Sequence, residues 1–151
     1  MEIEETNSDD PRIPKNLLRL ADPSDESIEQ YLKASRIFLG LLEGKSIAVA
    51  AVRVRERKAE LLNLAVSEEF QQNGFGSRML TFVKDTIRLD GINSLEVGTG
   101  NSSLGPLSFY QKNGFRIVGI RKNYFQKYHP PIYENNIRCI DMIVLSISLT
   151  V

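Results

Sequence analysis

Apolar and polar positions in the first half of the chain follow patterns that predict mostly strands. Apolar runs at residues 37–42, 47–55 and 58–66 are separated by short polar turns, which indicates three consecutive strands in a meander. A leucine-rich stretch at residues 17–20 predicts a short strand before them. An Asp-Pro pair then predicts the start of a helix over residues 22–35.

The second half of the chain alternates helical and strand patterns. Apolar residues recur at helical spacing over residues 74–90, and a strand is predicted at 94–99. A second helix is predicted to end at the Asn-Gly pair 113–114, followed by strands at 115–121 and 137–149. This order of elements favours an α+β fold over a doubly wound one.

The chain of 151 residues is expected to contain one folded domain. Residues 1–15 are acidic and contain two prolines, so we expect a flexible, loosely attached segment there. Residues 16–151 are expected to form the domain itself, which is long enough to bury a core without disulfides or metals.

Charge and composition disfavour several classes of function. The formal net charge of +0 argues against a nucleic-acid-binding surface. The chain has one cysteine, Cys139, and one histidine, His129, so we expect no internal disulfide and no metal site. No apolar run is long enough to span a membrane, and the acidic start lacks the pattern of a signal peptide. We therefore expect a cytoplasmic protein.

The segment between the strand at 58–66 and the helix at 74–90 is the strongest candidate for ligand binding. It reads Gln-Gln-Asn-Gly-Phe-Gly over residues 71–76. Glycines let the backbone approach a ligand, and the free N–H groups at a helix start favour a phosphate. The dinucleotide fingerprint fails because Met79 stands at its third glycine position, and the Walker pattern also fails. From these residues alone, a glycine turn without a ligand explains the segment equally well.

Two motifs in order make the sequence resemble the GNAT superfamily of N-acetyltransferases. Gln71-x-x-Gly74-x-Gly76 resembles the family's acetyl-CoA motif, Gln/Arg-x-x-Gly-x-Gly/Ala. Asn101, followed by Phe-Tyr-Gln-Lys-Asn-Gly-Phe at 109–115, resembles its second motif, an asparagine and then a helix that ends in Tyr-x-x-x-Gly-Phe. The resemblance covers residues 17–149 and implies a mixed, mostly antiparallel central sheet flanked by helices. Pro106 departs from the usual second motif, and it is compatible with a helix only in the first turn.

The resemblance also implies a reaction and a set of site residues. Acetyl-CoA is the expected co-substrate, and its acetyl group is expected to move to a primary amine of a small molecule or peptide. Tyr110 is expected to point its hydroxyl at the thioester sulfur, although without the resemblance it reads as a core tyrosine. Strand backbone is expected to pair with the pantetheine arm, loop amides to hold the pyrophosphate, and one asparagine to bind the pantetheine or the acyl end. The residues assigned to the cofactor in this way are Leu64, Ala65, Val66, Gln71, Gln72, Asn73, Gly74, Phe75, Gly76, Ser77 and Asn101.

The predicted general base is Glu60, at the start of the strand that leads into the loop. The family often keeps a carboxylate there, and Glu60 could act directly or through water. A solvated glutamate at a strand end explains it equally well. Asn63 could instead orient water or the acceptor, and Glu96 is a second carboxylate. The expected oxyanion donor is a backbone N–H near Leu64, if the strand bulges there.

Residues 122–136 are predicted to form a long loop rich in aromatic residues. An aromatic wall together with Glu134 suits a cationic amine. A flap that packs on the sheet or on a dimer partner explains the same residues equally well. His129 is expected to be exposed, and Cys139 to be a small buried residue and not a nucleophile.

Three functions remain open on the sequence. The leading one is an N-acetyltransferase that transfers an acetyl group to an amine by direct attack. The second is a non-catalytic module that binds or senses acyl-CoA, and the third is an interaction domain that binds no CoA. The acceptor stays unnamed, and we expect a monomer or a homodimer without nucleic-acid or membrane partners.

Overall fold

The computed structural model describes residues 1–150 as one sheet with helices on both faces, plus a short hairpin. The helices are α1 (Lys15–Ala21), α2 (Asp25–Leu32), α3 (Phe75–Leu89) and α4 (Leu104–Lys112). The strands are β1 (Glu2–Thr6), β2 (Arg36–Leu42), β3 (Lys45–Arg55), β4 (Lys58–Val66), β5 (Ser94–Gly100), β6 (Arg116–Arg121), β7 (Tyr133–Glu134), β8 (Ile137–Arg138) and β9 (Met142–Ser148).

The main sheet has seven strands in the order β1-β2-β3-β4-β5-β9-β6. Within residues 1–150, the β4–β5 pair is parallel and every other neighbouring pair in this sheet is antiparallel. Strands β7 and β8 form a separate antiparallel hairpin. The predicted α+β class with a mixed, mostly antiparallel sheet is confirmed.

Two hydrophobic cores lie on opposite faces of the sheet. Helix α3 buries Met79, Leu80, Val83 and Ile87 against one face, and Tyr110 of α4 joins the same cluster. Helices α1 and α2 pack on the other face against side chains of β2, β3 and β4. That second cluster contains no residue of β5, β6 or β9. On this face of the sheet, helices α1 and α2 therefore border the space beside β4 on one side only.

A bulge in β4 changes which face its side chains point to. Ala51 pairs with Asn63 while the next residue of β3, Val52, pairs with Leu61, so Leu62 is an extra residue in β4. Leu61 therefore packs into the core under α3, while Asn63 contacts α1 and α2 on the opposite face. The bulge lies two residues before Leu64, the position at which the sequence prediction considered one.

Strands β4 and β5 part at the same place. Their parallel pairing runs from Lys58 and Ser94 to Leu61 and Val97 and then stops. From Leu62 onward, β4 has no β5 partner, although it stays paired with β3 as far as Val66. The result is a stretch of strand whose backbone on one side is available to another extended chain.

Several local sequence predictions are wrong at the amino-terminal end. The expected strand at residues 17–20 is part of helix α1, because burial falls on the adjacent pair Leu17 and Leu18 and does not alternate. The expected loosely attached segment contains β1, which forms a full ladder with β2. Arg36 and Glu5 form an ion pair of 2.7 Å, which offsets part of the negative charge of this segment. Composition alone does not reveal this pair.

Other element boundaries also shift. Helix α2 is capped by Ser24, whose hydroxyl accepts a hydrogen bond of 3.2 Å from the Ser27 N–H, so it starts after the Asp-Pro pair. The single final strand predicted over 137–149 is divided into β8 and β9. Pro106 is the third residue of α4 and thus lies in its first turn, as expected.

Close packing at Gly40 on β2 generates a stability prediction. A Cβ at this position would lie 2.9 Å from the Ala48 Cβ and 2.7 Å from the Met1 sulfur. We expect Gly40→Ala to lower the free energy of unfolding by about 1–3 kcal/mol through overpacking, measured by urea denaturation. Gly119→Ala is the matched control, because a Cβ on this glycine of β6 meets no atom within 4 Å. Equal stabilities of the two variants would contradict the packing described.

Candidate functional site

The loop before α3 presents unpaired backbone donors. Gln72 and Gly74 have positive φ angles of 63° and 78°, which bend the chain sharply into the helix. The six N–H groups of residues 72–77 donate no hydrogen bond to any residue in the described part of the chain, 1–150. They lie at the amino end of a fifteen-residue helix, where the helix dipole is positive. Such an arrangement favours binding of a phosphate group.

Side chains of the loop hold its shape. The Gln71 side-chain amide donates to the Val66 carbonyl at 3.0 Å. The Asn73 amide donates to the carbonyls of Phe70 and Gln71 at 3.2 and 3.0 Å. The predicted anion-binding role of this loop thus falls to backbone N–H groups, while two of its polar side chains fix the turn.

Gly76 brings the loop into contact with α4. A Cβ built on Gly76 would lie 3.3 Å from two ring atoms of Phe109 and 3.8 Å from a methyl carbon of Val66. The Phe109 ring in turn lies 5.2 Å from the ring of Tyr110, measured between centroids. The end of β4, the start of α3 and the middle of α4 therefore meet at one point beside the gap between β4 and β5.

Tyr110 is buried among aromatic rings. It is 8% exposed, and its ring packs against Phe109 and Phe115 in edge-on geometry. Burial raises the pKa of the Tyr110 hydroxyl well above the ordinary value, so the group stays protonated at neutral pH. Its hydroxyl has no hydrogen-bond partner among residues 1–150, which leaves its proton available to a bound molecule.

Asn101 connects the end of β5 to the segment between β8 and β9. Its Oδ1 accepts hydrogen bonds from the N–H groups of Ile140 and Asp141 at 2.8 and 2.9 Å. Its Nδ2 donates to the Arg138 carbonyl at 3.1 Å. Both ends of this side chain are engaged, so a contact with a cofactor would have to add to these bonds or come from the backbone.

The two candidate carboxylates lie side by side on the parallel strands. Glu60 of β4 and Glu96 of β5 are paired in the register of the two strands, and the side chain of each contacts an arginine. Arg53 contacts Glu60 Oε1 at 2.6 Å, and Arg121 contacts Glu96 Oε1 at 3.5 Å. Glu60 Oε2 has no hydrogen-bond partner within the described residues and is free to accept a proton.

Asn63 joins the sheet to both helices that cover it. Its Nδ2 donates to the Leu18 carbonyl of α1 at 2.8 Å and to the Tyr31 hydroxyl oxygen of α2 at 2.9 Å. The side chain is 3% exposed, and its Oδ1 has no partner among residues 1–150. An unsatisfied buried acceptor costs about 1–3 kcal/mol. Sequence reasoning missed Tyr31, because only the fold brings residues 32 positions apart together.

A lysine of the aromatic loop over residues 122–136 lies over two of the loop's own rings. The Lys127 ammonium lies 5.1 Å from the ring centroid of Tyr124 and 5.9 Å from that of Tyr128. Glu134 accepts hydrogen bonds from the hydroxyls of Ser102 and Ser103 at 3.1 and 2.8 Å, next to the start of α4. The carboxylate expected to face a cationic acceptor is therefore bound by the two serines that precede α4.

The two remaining residues, His129 and Cys139, differ in exposure. His129 is exposed on the aromatic loop. Cys139 is buried, and burial raises the pKa of its thiol, which disfavours a nucleophilic thiolate. Within residues 1–150, no cluster of three or more His, Cys, Asp or Glu residues is placed to hold a metal ion. No helix in this range is long and apolar enough to cross a membrane.

Comparison with known proteins identifies the family. The model of the acetyltransferase (GNAT) domain matches residues 33–117. An uncharacterized N-acetyltransferase of Bacillus subtilis, YvbK, is 36% identical over 136 residues, which cover 89% of this chain and 88% of that protein.

Two solved structures share the whole fold. A GNAT family acetyltransferase from Elizabethkingia anophelis, solved with acetyl-CoA bound, is 41% identical, covers 97% of each chain and superposes with a TM-score of 0.91. An acetyltransferase from Bacillus subtilis, solved in complex with CoA, is 34% identical, covers 98% of each chain and has a TM-score of 0.90. The resemblance seen in the two sequence motifs is confirmed, and the chain belongs to the GNAT family of acetyltransferases.

Proposed function

We propose that this protein transfers the acetyl group of acetyl-CoA to a primary amine by direct attack of the amine on the thioester. The observation that carries the proposal is the meeting of Val66, Gly76 and Phe109 beside the gap between β4 and β5. This meeting supports one shared site for the unpaired loop amides, the open edge of β4 and the hydroxyl of Tyr110. Two solved relatives hold acetyl-CoA or CoA, which supports the same co-substrate here.

The chain offers a separate contact to each part of the co-substrate. The N–H groups of residues 72–77 receive the pyrophosphate. The backbone of residues 64–66, which lacks a partner on the β5 side, pairs with the pantetheine arm. Asn101 contributes at the acyl end through its backbone or through one further hydrogen bond. These contacts need no cationic side chain within the loop, which has none.

Acetyl transfer to an amine makes three demands on the site. The amine nitrogen bonds to the acetyl carbon as the carbon–sulfur bond breaks, the surplus amine proton goes to a base, and the sulfur takes a proton from an acid. A lysine-like amine is mostly protonated at pH 7, which costs about 4–5 kcal/mol to correct. Glu60 takes the amine proton, directly or through water on its free Oε2, and Tyr110 protonates the sulfur. A backbone N–H after the Leu62 bulge stabilises the oxyanion.

The proposal also includes a cytoplasmic location. The acceptor is a primary amine of a small molecule or peptide. The runner-up, a non-catalytic acyl-CoA-binding module, shares the loop and the unpaired strand but has no need of the Tyr110 hydroxyl. The variant Tyr110→Phe separates the two functions.

Tyr110→Phe is expected to lower kcat about 100-fold or more, because the departing sulfur loses its proton donor. The affinity for acetyl-CoA should stay unchanged, since the ring and its packing remain. Thiol release over a panel of amines measures kcat, and calorimetry measures affinity. Tyr133→Phe is the control, because that tyrosine is 63% exposed on the β7–β8 hairpin. Binding of acetyl-CoA by the wild type without thiol release for any amine would favour the sensing module.

Glu60→Gln is expected to lower kcat about 100-fold or more at pH 7, because a glutamine cannot accept the amine proton. The deficit should shrink as the pH approaches about 10.4, where a lysine-like acceptor loses its proton without help. Glu96→Gln is the matched control on the neighbouring strand and should leave kcat within a few-fold of the wild type. A larger effect at Glu96 than at Glu60 would assign the base to β5.

Gly76→Ala is expected to weaken acetyl-CoA binding about tenfold, because a methyl group here displaces Phe109 from the loop. The thermal shift produced by acetyl-CoA, measured as a function of its concentration, gives the affinity. Gly105→Ala on α4 serves as control, since a Cβ there meets nothing within 4 Å. Equal affinity of Gly76→Ala and the wild type would argue against close approach at this point.

A further inference from the structure

The hydrogen bonds of Asn63 determine the orientation of its own amide. The Leu18 carbonyl can only accept, so the atom that faces it at 2.8 Å must be the donor Nδ2. The second hydrogen of Nδ2 then points at the Tyr31 hydroxyl oxygen, 2.9 Å away. A flipped amide would place two oxygen atoms against each other at Leu18. The orientation is therefore set by α1, not by α2.

This orientation leaves the Tyr31 proton without an internal partner. Because the hydroxyl oxygen accepts from Asn63, its own O–H must point away from Asn63, and no acceptor for it lies among residues 1–150. Burial, opposed in part by the Asn63 hydrogen bond, raises the pKa of Tyr31 to about 12, so the hydroxyl remains a donor at neutral pH. Tyr31 is half-buried and thus borders an accessible space.

The same arrangement leaves Asn63 Oδ1 buried and unpaired. An apolar residue of similar volume would avoid this unsatisfied acceptor, so packing alone gives no reason for an asparagine. Buried unsatisfied groups in folded proteins are few, and each one calls for an explanation. The explanation offered by the contacts is that Asn63 directs the Tyr31 hydroxyl.

The Tyr31 hydroxyl lies beside the point where β4 and β5 part, because it is bound to Asn63. Asn63 directly follows the bulge residue Leu62, where β4 leaves β5, and it shares the sheet face of Glu60. The Tyr31 hydroxyl has a proton to donate and no partner for it within the described chain.

We propose that Tyr31 binds the acceptor by donating a hydrogen bond from its hydroxyl to an acceptor oxygen, and that Asn63 is the positioning residue for that hydroxyl. The inference rests on the proposed N-acetyltransferase function and narrows its substrate class. An ammonium group cannot accept a hydrogen bond, so the partner is a carbonyl, carboxylate or hydroxyl oxygen close to the amine. The acceptor is therefore an oxygen-bearing amine, such as an amino-acid amide, and not a plain alkylamine.

The test uses a panel in which each oxygen-bearing amine has an oxygen-free counterpart, beginning with L-alaninamide and sec-butylamine. For Tyr31→Phe, the KM for L-alaninamide should rise about tenfold, which corresponds to one lost hydrogen bond. The values of kcat, the KM for acetyl-CoA and the KM for sec-butylamine should stay within twofold of the wild type. Calorimetric titration of the CoA-saturated protein with L-alaninamide should show the same loss of affinity without turnover.

Asn63 is tested through its effect on Tyr31. In Asn63→Asp the carboxylate cannot donate, so the Tyr31 proton should turn inward, and the KM should rise as it does in Tyr31→Phe. The double variant that combines Asn63→Asp with Tyr31→Phe should show no further rise in the KM for L-alaninamide. Asn63→Leu removes the same donor without adding a buried charge. It replaces Asn63→Asp in the test if the aspartate variant does not fold, and the same rise in the KM for L-alaninamide is expected. Ser35→Ala is the control, because it deletes a bond of 2.6 Å to the Tyr31 carbonyl and leaves the hydroxyl untouched. Its melting temperature should fall while its KM stays unchanged.

Each alternative result is decisive. If Tyr31→Phe leaves the KM for every oxygen-bearing amine unchanged, or raises the KM of both members of each pair equally, Tyr31 does not bind an acceptor oxygen. Preferential acetylation of oxygen-free amines by the wild type would also overturn the inference while leaving the proposed function intact. If the wild type releases no thiol with any amine, both the proposed function and this inference are refuted.

Discussion

Strands β4 and β5 share parallel pairing over four residues each and then part at the Leu62 bulge, and the rest of the molecule is arranged around this parting. The bulge changes the side-chain alternation of β4, so that Leu61 supports the core under α3 and Asn63 reaches the helices on the opposite face. One inserted residue therefore creates both an open backbone edge on β4 and a polar contact from β4 to α1 and α2. Without the bulge, a buried asparagine would point into the larger apolar core.

The candidate site carries little net charge and presents hydrogen-bond donors at specific positions. The loop amides are uncharged, Tyr110 is held protonated by burial, and each of the two central carboxylates faces an arginine. Such a site neither attracts nor repels a charged acceptor strongly over long distances. Recognition of the acceptor must then depend on short-range hydrogen bonds and shape, which agrees with a net formal charge of +0.

Much of the fold and the course of the candidate loop was predictable from the sequence, because the signals are local. The meander, helix α3 and the loop at 71–77 follow from periodicity and glycine positions, and the structure contains all three. Strand β1 was not predictable, because its stability comes from a ladder with β2 and an ion pair to Arg36, more than 30 positions away. A bulge near Leu64 was only a condition of the predicted oxyanion donor, since nothing in the composition of β4 marks Leu62 as the extra residue.

The acceptor half was harder to predict because its contacts are distant in sequence. Glu60 and Glu96 become neighbours only through strand pairing, and Asn63 meets Leu18 and Tyr31 only after α1 and α2 pack on the sheet. The aromatic loop supports two interpretations from its sequence, a site for a substrate cation or a flap that packs on the sheet or on a dimer partner. In the structure, Lys127 of the same loop lies over two of its rings.

A loop that offers its ligand only backbone N–H groups has a consequence for the evolution of the family. Every residue except proline carries the same donor, so most side chains in residues 72–77 are free to change while the pattern of donors persists. What must be inherited is the path of the chain, fixed here by a left-handed turn at Gly74 and the close approach at Gly76. In the proposed function, recognition of the co-substrate therefore depends on the shape of the chain, and acceptor preference can diversify elsewhere without disturbing it.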